Sequence, residues 1–189
     1  ELLGAAALGV QNLLILTGDN PKYGDHPDAK GVFETDSVGL VGIANSLNNG
    51  LDYVGNQLNE KTDFFIGVAV NPGADDLNGE IHRFSQKIKA GANFAQTQPT
   101  YDLEKIVKFL EMTKQFKIPI LIGLLPIKSY KMALYLNEKV PGISISKEIQ
   151  GKIRLGGKQA GINLAREMLI ELKKISDGVH IMPIGENSL

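Results

Sequence analysis

Five short apolar runs, spread along the whole chain, constrain its fold more than any other feature. Each is rich in Ile, Leu, Val or Phe and then breaks at Gly, Pro or Asn, a pattern typical of strands buried on both faces. The runs lie at residues 12–19, 64–73, 93–102, 118–127 and 178–187. Between them, apolar residues recur at helical spacing. The sequence therefore predicts strands that alternate with helices.

The helical patterns carry start and stop signals. Thr35 or Asp36 is the expected cap of a helix that ends at Gly50, and Asp102 is the expected cap of a helix running to residue 116. The first ten residues also read as part of a helix. Further helices are predicted at residues 75–91, 128–138 and 156–178, with a short one at 146–150.

Strict alternation of strands and helices indicates parallel strands, which leaves either a doubly wound open sheet or a β/α barrel. The long polar loops follow the strands, so they gather at the edge where both architectures bind ligands. The polar stretch that begins at Asp19 is the longest of these loops. It is either a surface insertion or the wall of a site.

Composition excludes several classes of function. The 189 residues carry 20 basic and 21 acidic side chains, a formal net charge of −1, so no basic field for nucleic acid or an anionic membrane is expected. No apolar run reaches the roughly 18 residues of a membrane span. The absence of cysteine rules out thiolate metal sites and disulfides, and the three histidines lack metal-ligand spacing. We expect one domain without a metal site.

A few polar residues stand where a ligand would bind. Asp19 directly follows its strand, as a turn former or as a carboxylate that faces a ligand. Gln96 and Gln98 flank Thr97, so both amides would share one face of a strand. They suit a heterocyclic ligand such as a pteridine or flavin, or they bond to neighbouring strand ends. Lys87 is either a solvated lysine or a phosphate ligand.

Five stretches, in this order, together resemble the methylenetetrahydrofolate reductase family: LTGDNPKYGDHPDAKGVFETDSVGL, FFIGVAVNPGADDL, KAGANFAQTQPTYD, ILIGLLPIKSY and VPGISISKEI. The likeness is strongest to bacterial chains in which the reductase follows a homocysteine S-methyltransferase domain. It implies a (β/α)8 TIM barrel that uses FAD to reduce 5,10-methylenetetrahydrofolate to 5-methyltetrahydrofolate. Residues 1–189 would supply about strands 4 to 8, with the first strands upstream of Glu1. The isolated segment would then be catalytically incomplete.

The resemblance also implies roles for particular residues. Asp19 would be the catalytic carboxylate that contacts the pterin and the flavin, and Gln98 would contact the folate ring. The expected FAD-binding residues are Thr17, Gly18, Asp19, Phe33 and Glu34 around the flavin, and Asn71, Glu80, Arg83 and Lys87 along the ribityl chain and pyrophosphate.

The resemblance is weaker for the electron donor. Met132 and Leu136 stand where some members have a glutamine and a phenylalanine that stack on nicotinamide or folate, so the donor is NAD(P)H or another reductant. A cytoplasmic protein is expected, and a homo-oligomer is left open. Two alternatives remain: a truncated barrel segment that acts as an interaction or scaffolding piece, and a barrel enzyme for a phosphate-bearing substrate.

Overall fold

A computed structural model of the chain describes residues 1–18, 20–140 and 142–183, which form an α/β fold. The strands are β1 (Asn12–Ile15), β2 (Phe65–Val70), β3 (Phe94–Thr97), β4 (Ile120–Leu124) and β5 (Gly178–Ile181). The helices are α1 (Leu2–Ala7), α2 (Ser37–Asn48), α3 (Leu77–Ala90), α4 (Leu103–Thr113), α5 (Tyr130–Lys139) and α6 (Lys147–Ile175). Single 3-10 turns occupy Pro21–Tyr23 and Lys114–Phe116.

The five strands form one sheet in the order β1-β2-β3-β4-β5. The pairs β1–β2, β3–β4 and β4–β5 are parallel. Between β2 and β3, the N–H of Asn93 donates to the carbonyl of Ile66 at 2.7 Å, and the N–H of Gln98 donates to the carbonyl of Val70 at 2.8 Å. The parallel α/β arrangement predicted from the alternation of patterns is therefore confirmed.

The chain divides into two compact units. The first comprises residues 1–69 and 83–94, and the second comprises residues 70–82 and those from 95 onward. In the first unit, Val41, Ala44 and Leu47 bury one face of α2. In the second unit, an apolar cluster joins the residues after β3 and β4 to helices α5 and α6: Tyr101, Leu125, Ile127, Ala133, Leu136, Ile143, Ile145 and Ile153.

Burial differs between central and outer strands of the sheet. Strands β2 and β4 are almost wholly buried, as their unbroken apolar sequences predict. Strands β1 and β5 are largely half-buried or exposed, so the expectation that every strand is covered on both faces is wrong for these two. Each of them pairs with only one neighbour among the described strands.

The predicted helix caps are confirmed. The carboxylate of Asp36 accepts a hydrogen bond from the N–H of Gly39 at 2.9 Å, and that of Asp102 accepts from the N–H groups of Glu104 and Lys105. These bonds satisfy backbone donors that a helix start would otherwise leave without partners. The two helices therefore begin where the sequence places them.

One predicted helix is too short. The helix expected at residues 146–150 continues to a kink at Gly157, where the backbone is not helical, and the predicted long helix follows this kink within α6. The backbone of Gly157 has φ 55° and ψ −143°, a conformation that glycine adopts at little cost, so a helical segment continues on each side. The strands are also shorter than the apolar runs because the run ends belong to loops, and residues 184–187 of the last run lie outside the described residues.

Candidate functional site

The loop after β1 is fixed at the N-terminus of α2 by two side-chain oxygens. The hydroxyl of Thr17 accepts a hydrogen bond from the N–H of Ser37 at 3.0 Å, and Asp36 accepts from Gly39. The bond from Gly39, followed by the nearby charge of Arg83, lowers the pKa of Asp36 from its ordinary value of 3.8. The anionic cap and Thr17 thus hold both ends of the loop beside one helix terminus.

Arg83, a predicted cofactor ligand on α3, contacts this cap. Its Nη2 atom donates to Oδ2 of Asp36 at 2.9 Å, and both side chains are nearly half exposed. Local sequence predicts Asp36 as a cap but gives no signal for this ion pair, because the two residues lie 47 positions apart. The pair ties the loop to α3 while leaving part of the guanidinium open to solvent.

A cavity of about 260 Å³ lies under this loop. Its lining includes three of the predicted flavin-binding residues, Thr17, Gly18 and Phe33, together with Lys30 and Val32. The Phe33 ring is 51% exposed and lies against Gly31, where a Cβ atom would overlap it. The lining thus combines an aromatic face and apolar side chains with the Lys30 ammonium and the Asp36 carboxylate. Aromatic and apolar side chains of this kind contact flat aromatic ligands.

Glu34 and Lys87, like Arg83, are predicted to bind FAD and lie in the first unit, but they do not line this cavity. Glu34 is exposed in the loop beside it. Lys87 on α3 is only 6% exposed, and its Nζ atom donates to the carbonyl of Ala69 in β2 at 2.7 Å. Burial of an ammonium group requires such partners. The structure thus gives Lys87 a backbone contact in addition to any ligand it would hold.

In the second unit, the structure brings together Asn71 and Glu80, both predicted to bind the cofactor. The N–H of Asn71 donates to Oε1 of Glu80 at 2.8 Å, and Oδ1 of Asn71 accepts from the N–H of Gly73 at 2.9 Å. Gly142, with φ +82°, lies so close that a Cβ atom there would overlap Nδ2 of Asn71. These contacts fix the turn that follows β2.

Gln98, the predicted folate ligand, lies one residue beyond β3 and is exposed, whereas Gln96 within the strand is half-buried. Within the described ranges, the side-chain amide of Gln98 has no hydrogen-bond partner, so it is able to donate to and accept from a ligand. Asp19, the predicted catalytic carboxylate, lies outside the described residues.

Three other concave regions, all lined by described residues, carry none of the predicted site residues. A larger cavity of about 660 Å³ lies near the N-terminal end of β4, with Val107, Leu110, Ile118 and Ile175 in its lining. Ligands of parallel α/β sheets bind at the opposite, C-terminal ends of strands. Over the described ranges, no group of three or more His, Asp or Glu side chains is arranged to hold a metal ion, and no helix is long and apolar enough to cross a membrane.

Comparisons of the sequence with a family model and with individual proteins indicate the same family. The sequence model of the family described as methylenetetrahydrofolate reductase matches residues 1–189. The 5,10-methylenetetrahydrofolate reductase of Salmonella typhimurium is 27% identical over 172 residues, which cover 85% of this chain and 51% of the relative. A probable methylenetetrahydrofolate reductase (NADH) of Oryza sativa is 29% identical over 181 residues, covering 85% of this chain and 28% of the relative. The chain spans about half or less of the length of these relatives.

Among the solved structures that match, one that shares the fold is an uncharacterized protein from Clostridium thermocellum that binds two copies of 5-methyl-5,6,7,8-tetrahydrofolic acid. The TM-score is 0.52 at 24% sequence identity, and the match covers 63% of this chain and 46% of that one. At this identity, the likeness shows the fold alone.

Proposed function

Because the chain belongs to the methylenetetrahydrofolate reductase family, we propose that it takes part in the flavin-dependent reduction of 5,10-methylenetetrahydrofolate to 5-methyltetrahydrofolate. The observation that carries this proposal is the family match over residues 1–189. The cavity that brings Thr17, Gly18 and Phe33 together supports it, since the family resemblance assigns these three residues to the flavin.

In this proposal, the first unit holds the ring end of FAD. The backbone at Gly18 gives close access because, apart from Gly18 and its chain neighbours, no described residue has an atom within 4 Å of a Cβ position there. Phe33 supplies an aromatic contact, and Glu34 lies beside it in the loop. Bound FAD would supply the hydride chemistry, while the chain orients it and excludes water.

The remaining predicted ligands hold the other parts of the cofactor. Arg83 and Lys87 are the cations that would answer the pyrophosphate charge. Asn71 and Glu80 would contact the ribityl chain from the turn after β2. Arg83 is half exposed and is able to share its guanidinium between Asp36 and an anion, whereas Lys87 must turn from Ala69 or act from its buried position.

Gln98 and Asp19 are assigned to the folate. The exposed amide of Gln98 would donate to and accept from the pterin. A carboxylate at Asp19 would favour positive charge on the substrate and hence the form that accepts hydride.

Several finer expectations remain part of the proposal. They are the (β/α)8 barrel, the link to a homocysteine S-methyltransferase domain, a cytoplasmic location and the electron donor. The name of the rice relative supports NADH as that donor.

The test is a visible absorption spectrum of the full-length protein that contains this chain, titrated with FAD. We expect a protein-bound flavin band at about 450 nm. It should bleach when 5-methyltetrahydrofolate is added, because the reaction then runs in reverse and reduces the flavin. Phe33→Ala should weaken FAD binding about tenfold if the ring stacks on the flavin. Tyr53→Ala is the matched control, because Tyr53 is a 79% exposed aromatic residue outside the cavity. A protein that takes up no FAD contradicts the proposal.

A further inference from the structure

The end of β3 departs from a regular parallel ladder at Thr97. The register Ala95 to Ile120 and Gln96 to Leu121, continued by two residues, would bring the N–H of Gly123 to the backbone carbonyl of Thr97. Instead, this N–H donates to the side-chain hydroxyl of Thr97 at 2.9 Å. The hydroxyl therefore replaces the carbonyl as the acceptor at the last rung between β3 and β4.

The same hydroxyl also fixes the next residue. Thr97 Oγ1 donates to the carbonyl of Gln98 at 2.9 Å, while the N–H of Gln98 donates to Val70 in β2. Both backbone groups of Gln98 are thus held from within one unit. Pro99 follows and restricts the backbone of Gln98 to extended conformations. Together these restraints set the direction of the Cα–Cβ bond of Gln98.

The two side chains differ sharply in environment. Thr97 is 2% exposed, and both of its hydrogen bonds go to backbone groups. Gln98 is exposed, and its amide has no partner in the part of the chain that the structure describes. A buried hydroxyl with no access to a ligand therefore governs the backbone of a residue whose amide is open to one.

We propose that Thr97 is a positioning residue for folate binding, acting through the hydrogen-bond chain from Gly123 N–H to Thr97 Oγ1 to the Gln98 carbonyl. This inference rests on the proposed function, because it takes the folate as the ligand of Gln98. Thr97 itself contacts no substrate. It restricts the conformation of Gln98 before the ligand arrives, so that less conformational freedom is lost on binding.

A purely structural hydroxyl would behave differently. Its loss would lower the free energy of unfolding, since the Gly123 N–H would lose its acceptor, but it would leave the affinity of the folded protein for folate unchanged. A positioning hydroxyl couples energetically to Gln98, and a double-mutant cycle measures that coupling. Serine keeps the hydroxyl, whereas valine keeps the shape of threonine without it.

The experiment measures the dissociation constant of 5-methyltetrahydrofolate by calorimetry, using the FAD-loaded full-length protein at a temperature where circular dichroism shows every variant folded. The variants are Thr97→Val, Thr97→Ser, Gln98→Ala and the double variant Thr97→Val/Gln98→Ala. We expect Thr97→Val to weaken binding about fivefold to tenfold and Thr97→Ser less than about threefold, since one ordered hydrogen-bonding side chain is at stake. In the Gln98→Ala background, Thr97→Val should change the affinity little.

Other outcomes separate the two ideas. If the wild type binds folate and Thr97→Val binds equally well, or weakens binding as much without Gln98 as with it, the positioning role is overturned and the proposed function stands. If the wild type binds no folate, both are overturned.

A second measurement covers the case in which Thr97→Val does not fold. Binding and backbone order are reciprocally linked, so folate should slow hydrogen exchange of the Gly123 amide in the wild type about fivefold or more. An unchanged exchange rate at saturating folate would overturn the inference.

Discussion

The loop after β1 and the backbone after β3 are both expected to contact ligands, yet they are built differently. Residues 20–22 and 24–36 are almost all exposed, and the loop contains one 3-10 turn and is anchored on α2 by Asp36 and Thr17. After β3, Pro99, Thr100 and Tyr101 are buried. Thr97 accepts a hydrogen bond from the backbone of Gly123 in β4, and Tyr101 donates one to the backbone of Leu125, the residue after β4. A loop of the first kind adapts to a ligand, whereas a turn of the second kind is ordered in advance.

The largest effect on stability is expected where β4 contacts the end of β3, beside the ordered turn. A Cβ atom at Gly123 would overlap the carbonyl oxygen of Thr97 and lie 2.8 Å from Cε of Met182. Gly123→Ala must therefore push β4 away from β3, and it should lower the free energy of unfolding by about 3 kcal/mol. Urea unfolding measures this loss. The control is Gly42→Ala in the middle of α2, where nothing lies within 4 Å of the new methyl group and stability should rise by about 1 kcal/mol.

The next effect concerns Tyr101, which is 8% exposed and donates its hydroxyl to the carbonyl of Leu125 at 2.5 Å. Tyr101→Phe should cost about 1–2 kcal/mol, because a buried carbonyl loses its donor. Thermal or urea unfolding at neutral pH gives the value. Equal stability of the two proteins would show that the turn after β3 does not depend on this bond.

The buried hydroxyl of Tyr101 should also make the free energy of unfolding fall at alkaline pH. Burial raises the pKa of its hydroxyl well above the ordinary value of 10.0. Above that ordinary value the unfolded chain releases the proton while the folded chain keeps it, so stability falls as the pH rises past about 10. The fall should be shallower in Tyr101→Phe. Identical pH profiles for the two proteins would argue against a buried phenol here.

A smaller effect is expected at the anchor of the loop. Asp36→Ala removes the cap of α2 and should cost about 1 kcal/mol at neutral pH, of which the half-exposed Arg83 pair contributes only a minor part after screening by solvent. The folded-state pKa of Asp36 is lowered, so its stabilisation is present above the ordinary value of 3.8 and disappears as the pH falls below it. Unfolding curves of both proteins should therefore converge in acid. A constant difference down to the lowest pH would exclude the carboxylate as the cause.

The smallest effect is expected within the loop itself. Phe33→Ala should change the free energy of unfolding by less than about 0.5 kcal/mol, because the ring is largely exposed without a ligand. The same variant should clearly lose affinity for FAD. A large loss of stability in the absence of FAD would mean that the loop is as well ordered as the turn after β3, and the contrast between them would fail.

Much of the fold follows from local sequence, and much of the site does not. Apolar runs and caps such as Asp36 and Asp102 depend on neighbouring residues, so the order and type of the elements were predictable. Two contacts of the site join distant parts of the chain and leave no local signal in the sequence. They are the ion pair of Arg83 with Asp36 and the hydrogen bond between Thr97 and Gly123. At Gly157 the sequence does predict where the long helix begins, since the backbone there is not helical, but the helix before it is longer than predicted.

The buried ammonium of Lys87 has a practical consequence for chemical labelling. An amine-reactive reagent needs access to an uncharged, solvated amine, and Lys87 is the only lysine among the described residues that is buried. Its acylation should lag behind that of exposed lysines such as Lys30 and proceed only when α3 moves away from the carbonyl of Ala69 in β2. The labelling rate of this single side chain, measured by mass spectrometry, would thus report how often α3 separates from β2.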